Sequence, residues 1–307
     1  MRKLAGAEGW SLALALVLLL LGDAAAGHYK YSTLSWEQQT GTTVLFTLRS
    51  AWSTEFQPYR DQVGGTIHVG DVIRVQGLGD PVLHFGDGRE SFQIVRATVT
   101  SVDHALQTWV GEAHVAHKYA TRHQSNGQPW TAYFAGCCRD SDVRNRHSGY
   151  FRVETRVDLS RASYSPIVAA LPRQVMLGNT SNKTANSFWV PGFDKGEHPL
   201  NVSGGRRYQW TLHSDSPALG DARNLILDPN TGQMWGHLPA CQTQAPSAAC
   251  LYAARVELTD VISGASSEVD FEIESLPNGA MDVPALSHSY QLTCYQHYIR
   301  VPACLIA

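Results

Sequence analysis

The strongest constraint on this chain is a long succession of short segments in which apolar and polar residues alternate. "TIHVGDVIRV" (66–75) and "FRVETRVDL" (151–159) alternate apolar with polar. Successive side chains of an extended strand point to opposite faces, so this period marks strands with one buried face. Segments rich in β-branched and aromatic residues recur at 42–52, 65–77, 91–103, 108–120, 129–137 and 150–160. They recur again at 206–214, 224–239, 251–261 and 266–275. Turn clusters such as "VGG", "GLGDP", "FGDG", "SNGQP" and "NRHSG" separate them. Beyond the N-terminus no ten-residue stretch follows a helical period. The expected class is all-β, and strands this short and numerous imply sandwiches.

The N-terminus sets the compartment. Arg2 and Lys3 precede an apolar run, Trp10–Leu21, and Ala24 and Ala26 are spaced like a cleavage site. That is the layout of a secretory signal peptide, residues 1–26. The run is shorter than the roughly 20 apolar residues a membrane helix needs, and no later segment is apolar enough to span. Cleavage leaves about 280 residues, room for two domains. The expected division is a sandwich over 28–164, a second over 165–276, and a cysteine-containing tail over 277–307. The boundary falls where "SPIVAALPRQVMLGNTSNKTANS" brings two prolines and two glycosylation sequons together. The net charge of −3 offers no electrostatic footprint for nucleic acid.

Six cysteines, an even number behind a signal peptide, favour disulfides. Cys241 with Cys250 and Cys294 with Cys304 are spaced as local loop staples. Cys137 and Cys138 are adjacent, so each either seeks its own partner or the two bond to one another. Asn179, Asn182 and Asn201 begin N-x-Ser/Thr triplets and are the glycosylation candidates.

"FGDG" (85–88) is a turn signal, because glycine accepts positive φ and Asp bonds its own backbone. Together with His117-Lys118-Tyr119 it resembles the polycystic-kidney-disease (PKD) repeat, over residues 65–138. That resemblance implies an extracellular Ig-like sandwich. The gap between the two pieces is longer than the family shows, and "WTAYFAGCC" lies outside its pattern. Asp87 reads as a turn former rather than a catalyst.

Residues 206–275 resemble a dystroglycan-type, Ig-like cadherin-like domain. The resemblance rests on Leu225, Leu227, Asp228, Pro229, Thr231, Gly232, Gly236 and Pro239, then Tyr252, Val256, Asp260, Phe271 and Ile273. Asp228–Gly232 is a tight turn with proline fixing φ. Tyr252, Ala254, Val256 and Leu258 share one strand face, with Arg255, Glu257 and Thr259 opposite. The insert 241–250 departs from the family.

Calcium is the one cofactor in question. It takes six to eight oxygens, and Asp87, Asp228, Asp260 and Asp270 are the candidate ligands, solvated turn carboxylates being the competing reading. No EF-hand loop, HExxH, G-x-S-x-G or phosphate-binding loop occurs. His114 and His117, three apart on a strand, fall on opposite faces and make a poor metal pair. Of the tryptophans at 36, 52, 109, 130, 189, 210 and 235, most should fill cores and one or two should serve as surface contacts. The function that follows is a secreted or cell-surface adhesion or matrix-binding module, not an enzyme, whose partner is an extracellular protein or glycan. The competing classes are an accessory or catalytic part of a glycan-active extracellular enzyme, and a spacer within a larger surface protein.

Overall fold

The computed structural model describes residues 28–76, 81–88, 92–139, 143, 149–169, 173–177, 187–194, 207–213, 225–236, 238 and 250–276. The signal-peptide candidate, the three sequons, Cys241, Cys294, Cys304 and the 277–307 tail lie outside these residues.

The first half supplies β1 (Tyr29–Thr40), β2 (Thr43–Ser53), a short helix α1 (Gln57–Val63), β3 (Val72–Arg74), β4 (Val82–His84) and β5 (Phe92–Ile94). β6 (Arg96–Asp103), β7 (Thr108–Lys118), β8 (Trp130–Cys137) and β9 (Tyr150–Val157) follow. The second half supplies β10 (Ile167–Val168), β11 (Gln174–Leu177), β12 (Ser187–Trp189), β13 (Gly192–Phe193) and β14 (Tyr208–Leu212). β15 (Leu225–Leu227), β16 (Gln233–Gly236), β17 (Cys250–Asp260) and β18 (Ser266–Leu276) complete it. The described chain is all-β apart from α1, which carries a proline in its first turn and ends at Gly64 in the left-handed conformation.

Two strand expectations are corrected. Among the described residues of 65–77, only Val72–Arg74 forms a strand. Gly65 and Gly70 take φ of 138° and 96°, and Asp71 accepts the His68 N–H at 2.8 Å, so the first part of the segment is turn. The 91–103 segment splits into β5, which pairs with β4, and β6, which pairs with β3 and β7.

The main sheet runs β3-β6-β7-β2-β1-β18-β9-β8-β4-β5. β18 is its centre. One edge of β18 pairs with β17 from Ser266 to Ser275. The other edge serves β9 at Ser266 and Ser267, β1 from Glu268 to Asp270, and β11 in parallel from Ile273 to Leu276. The last strand of the second half is thus inserted between strands of the first.

This one sheet carries two cores. The first packs Trp52, Trp109, Tyr59, Phe46, Phe134 and Phe151 with Tyr29, which stacks on Phe151 at 3.7 Å. Burying a large side chain of this kind is worth about 1.5–3 kcal/mol. The second packs Trp210, Met234, Val256, Leu258, Val269, Phe271 and Ile273. A bulge divides β1 between them. Tyr29 pairs with Trp52 and Tyr31 with Ala51, so Lys30 is the extra residue. Tyr29 therefore faces the first core and Tyr31 the second, after which Leu34 and Trp36 return to the first. Two tyrosines two apart would otherwise share a face.

Candidate functional site

The structure brings "FGDG" and "HKY" together. Asp87 follows β4, His117 lies near the end of β7, and the His117 Nε2 to Asp87 Oδ2 distance is 2.9 Å. The Phe85 ring stacks on His117 at 4.0 Å with planes 6° apart. Tyr119 donates its hydroxyl to the Phe85 carbonyl at 2.8 Å. Burial, reinforced by the Asp87 charge, pushes the Tyr119 pKa far above its ordinary value. Gly86 sits at φ +75°, and a Cβ there would stand 2.1 Å from the Thr131 carbonyl oxygen, so only glycine fits the turn against β8. The motif ties the turn after β4 to the end of β7. His114 points to the other face, beside Thr47 and Glu112.

The four candidate calcium ligands occupy four separate places. Asp87 is with His117. Asp228 caps its own turn, its Oδ1 accepting the N–H groups of Asn230 and Thr231 at 2.8 and 3.2 Å. Asp260 closes the β17–β18 hairpin. Burial alone would raise its pKa, but Arg207, the Ile262 N–H and the Ser263 hydroxyl hold it below the usual value. Asp270 pairs with Arg139, both fully buried, and the Arg139 guanidinium lies 4.8 Å from the Tyr29 ring centroid.

A residue set that the sequence reading does not bring together lies on the polar face of β17 and β18. Register places Glu257 opposite Glu268, Arg255 opposite Asp270, and Ala253 opposite Glu272. All of these side chains are buried. Each acid has a basic neighbour brought from far along the chain. His213 lies 2.9 Å from Glu268 and 3.7 Å from Glu257, Arg139 meets Asp270, and Arg173 meets Glu272 at 3.0 Å. Glu268 also accepts the Glu154 backbone N–H at 2.8 Å, and Arg156 reaches Glu257 at 3.2 Å. Burial pushes the carboxyls of Glu268 and Glu272 above their ordinary pKa, with these cations acting in the opposite direction. The signal in the sequence is the string Glu268, Asp270, Glu272. Three acids on one strand face demand either water or cations.

A third feature is a surface. β12, β16 and β15 form a small sheet in that order. Ser187, Trp235 and Ile226 align in one row, and Trp189 lies opposite Gln233 in the next. Phe188, Met234 and Leu225 turn inward to the second core. The outward face therefore presents Trp189 and Ile226, 51% and 48% exposed, beside half-buried Trp235. Trp36, Trp52, Trp109 and Trp210 are core residues. A shallow depression of about 160 Å³, lined in part by Arg60, Ile67 and His104, is smaller than the ~300 Å³ at which small-molecule pockets begin.

Cys137 and Cys138 bond to one another, and the Cys138 carbonyl accepts the N–H groups of His28 and Tyr29. Cys250 is disulfide-bonded to a partner outside the described residues. No helix among the described residues is long and apolar enough to cross a membrane.

Residues 30–160 match the family model described as integrin beta-like protein A-E, N-terminal. Integrin beta-like protein C of Dictyostelium discoideum is 28% identical over 172 residues, covering 54% of this chain and 8% of its own length. Integrin beta-like protein E of the same organism is 26% identical over 257 residues, covering 82% of this chain and 12% of its own. The chain thus spans about a tenth of the length of these relatives. The structure of mouse clustered PcdhgC3 EC1-3 overlaps 78% of each chain at 8% identity, with a TM-score of 0.23 that carries no argument about fold. Over β1 to β9, then, this sequence is similar to the N-terminal region of integrin beta-like proteins.

Proposed function

We propose that this chain is a secreted or cell-surface adhesion module that binds an extracellular protein or glycan. The observation that carries this reading is the match of residues 30–160 to the N-terminal region of proteins named for integrin-like character. The Trp189, Trp235 and Ile226 face of the β12-β16-β15 sheet supplies a contact surface of suitable kind. Tryptophan offers a large rigid area at low entropic cost, and aromatic residues dominate binding energy at protein interfaces.

The glycan-active enzyme is the weaker reading. Retaining glycosidases hold two carboxyl groups about 5–5.5 Å apart across a cleft, and inverting ones hold them farther apart. The facing oxygens of Glu257 and Glu268 lie within 4.8 Å of one another, in a buried network with His213.

The test is adhesion of cells, and binding of immobilised matrix proteins and glycans, by the secreted chain with disulfides intact. Trp189→Ala and Ile226→Ser together should leave the fold unchanged, since exposed substitutions shift stability by about 0.5 kcal/mol or less. They should lower binding at least about tenfold, the loss of one interface anchor. Binding that survives both changes moves the contact to another face. A chain that binds no matrix protein or glycan leaves the spacer role in its place.

A further inference from the structure

We propose that His213, Glu257 and Glu268 form a site for a divalent transition-metal ion of the zinc class. This inference goes beyond the adhesion reading and does not depend on it. Three donor atoms converge on one point. His213, Glu257 and Glu268 each offer one, all within 4.8 Å of one another. His213 Nε2 stands 2.9 Å from Glu268 Oε1 and 3.7 Å from Glu257 Oε2. It is shielded from solvent and pairs with Glu268, whose carboxylate raises the imidazole pKa above its ordinary value.

The remaining carboxylate oxygens are already spoken for. Glu268 Oε2 accepts the Glu154 backbone N–H at 2.8 Å and faces Arg255 Nη1 at 3.7 Å. Glu257 Oε1 faces Arg156 Nη2 at 3.2 Å. Each acid is therefore oriented by protein groups on one side and turns its free oxygen inward on the other. That is how outer partners aim the ligands of a metal centre. His213 is fixed too, because its backbone N–H donates to the Arg255 carbonyl at 3.0 Å.

The chemistry of the donors selects the ion. Two like charges directly opposite on neighbouring strands repel, and these two are buried near the hairpin end of β17 and β18, with Arg255 meeting only the outer oxygen of Glu268, so a positive charge is favoured between the inner ones. Arg156 is half-exposed and its attraction is screened. The two carboxylates favour a proton on His213, which zinc or a neighbouring metal would displace, since imidazole with carboxylates suits that class of ion. Calcium and magnesium favour oxygen shells of six or more. Three protein ligands leave the fourth tetrahedral position to water, and the opening is on the His213 side, where the side chain is 23% exposed. The bound ion joins the residue after β14 to β17 and β18, and so acts as a clasp within the second half, beside the Glu154 segment of β9.

The experiment uses the whole mature chain, treated with EDTA under non-reducing conditions and then titrated with Zn²⁺, Co²⁺ or Ca²⁺. Zinc should bind with one ion per chain and raise the melting temperature, and Co²⁺ should give the visible absorption of a tetrahedral site. Ca²⁺ should do neither. His213→Ala, at the rim, should weaken zinc binding at least about 100-fold with the circular dichroism of the native chain retained. His213→Gln, which keeps the side-chain volume, should do the same. His114→Ala, at a histidine on another strand face, should change nothing. No zinc uptake by the native chain, or uptake unchanged in both His213 variants, overturns the assignment. A Co²⁺ spectrum without tetrahedral character also overturns it.

Discussion

The two faces of the β17–β18 pair are built from opposite materials and are buried alike. One face presents Ala254, Val256, Leu258, Val269, Phe271 and Ile273 to the second core. The other presents Arg255, Glu257, Glu268, Asp270 and Glu272. An apolar face is stable against anything that excludes water. A charged face can be buried only where a partner meets each charge, because an unpaired buried ion costs several kcal/mol. Here the partners are Arg139, Arg173, His213 and Arg156, drawn from both halves. The apolar face thus supplies cohesion and the charged face supplies fit. A chain that places Arg139 wrongly leaves Asp270 stranded.

The largest expected effect is on the apolar side. Phe271→Ala removes a fully buried ring and should cost about 3–5 kcal/mol, read as a fall in the denaturant midpoint with an unchanged slope. On the charged side, Arg139→Ala should cost about as much, because it leaves Asp270 buried without its cation. A loss under about 1 kcal/mol would mean that water reaches this face, and the contrast with a surface pair would vanish. Replacing both partners, Arg139→Met with Asp270→Leu, should recover much of the loss, since an apolar pair of similar size needs no cation.

The smallest effect belongs to the hairpin end, where Arg207 is 45% exposed and pairs with Asp260. Asp260→Asn should cost about 1 kcal/mol or less at neutral pH. The Asp260 pKa is lower folded than unfolded. Its contribution is therefore complete above the unfolded value and disappears as pH falls through the folded one. The stability gap between the native chain and Asp260→Asn should be constant at neutral pH and close below about pH 4. A gap that widens in acid contradicts that assignment.

Much of this was legible in the residues, for identifiable reasons. β2, β7, β8, β9, β17 and β18 fall on segments rich in β-branched and aromatic residues, and the Asp228–Gly232 turn falls where its proline and glycine demand. The likeness of "FGDG" and "HKY" to a PKD repeat anticipated that the two would belong to one motif. β1 was missed because the Lys30 bulge puts Tyr29 and Tyr31 on different faces and breaks the alternation. The 65–77 segment looks continuous in letters, but two positive-φ glycines interrupt it. The charged face was out of reach. Alternation shows that Glu268, Asp270 and Glu272 share a side, but not that Arg139, 131 residues before Asp270, covers it. The His213 cluster depends on the same long-range packing.

β18 joins both halves into one cooperative sheet, and hydrogen exchange is the sharpest check on that. Amide protection should be compared between the native chain and Phe271→Ala, a change confined to the second core. Because β18 pairs with β1 and β9 as well as β17, protection should be lost at Ser32–Leu34 and at Thr155–Arg156 along with β14 and β17. Loss restricted to β14, β17 and β18, with β1 and β9 as protected as before, would contradict it.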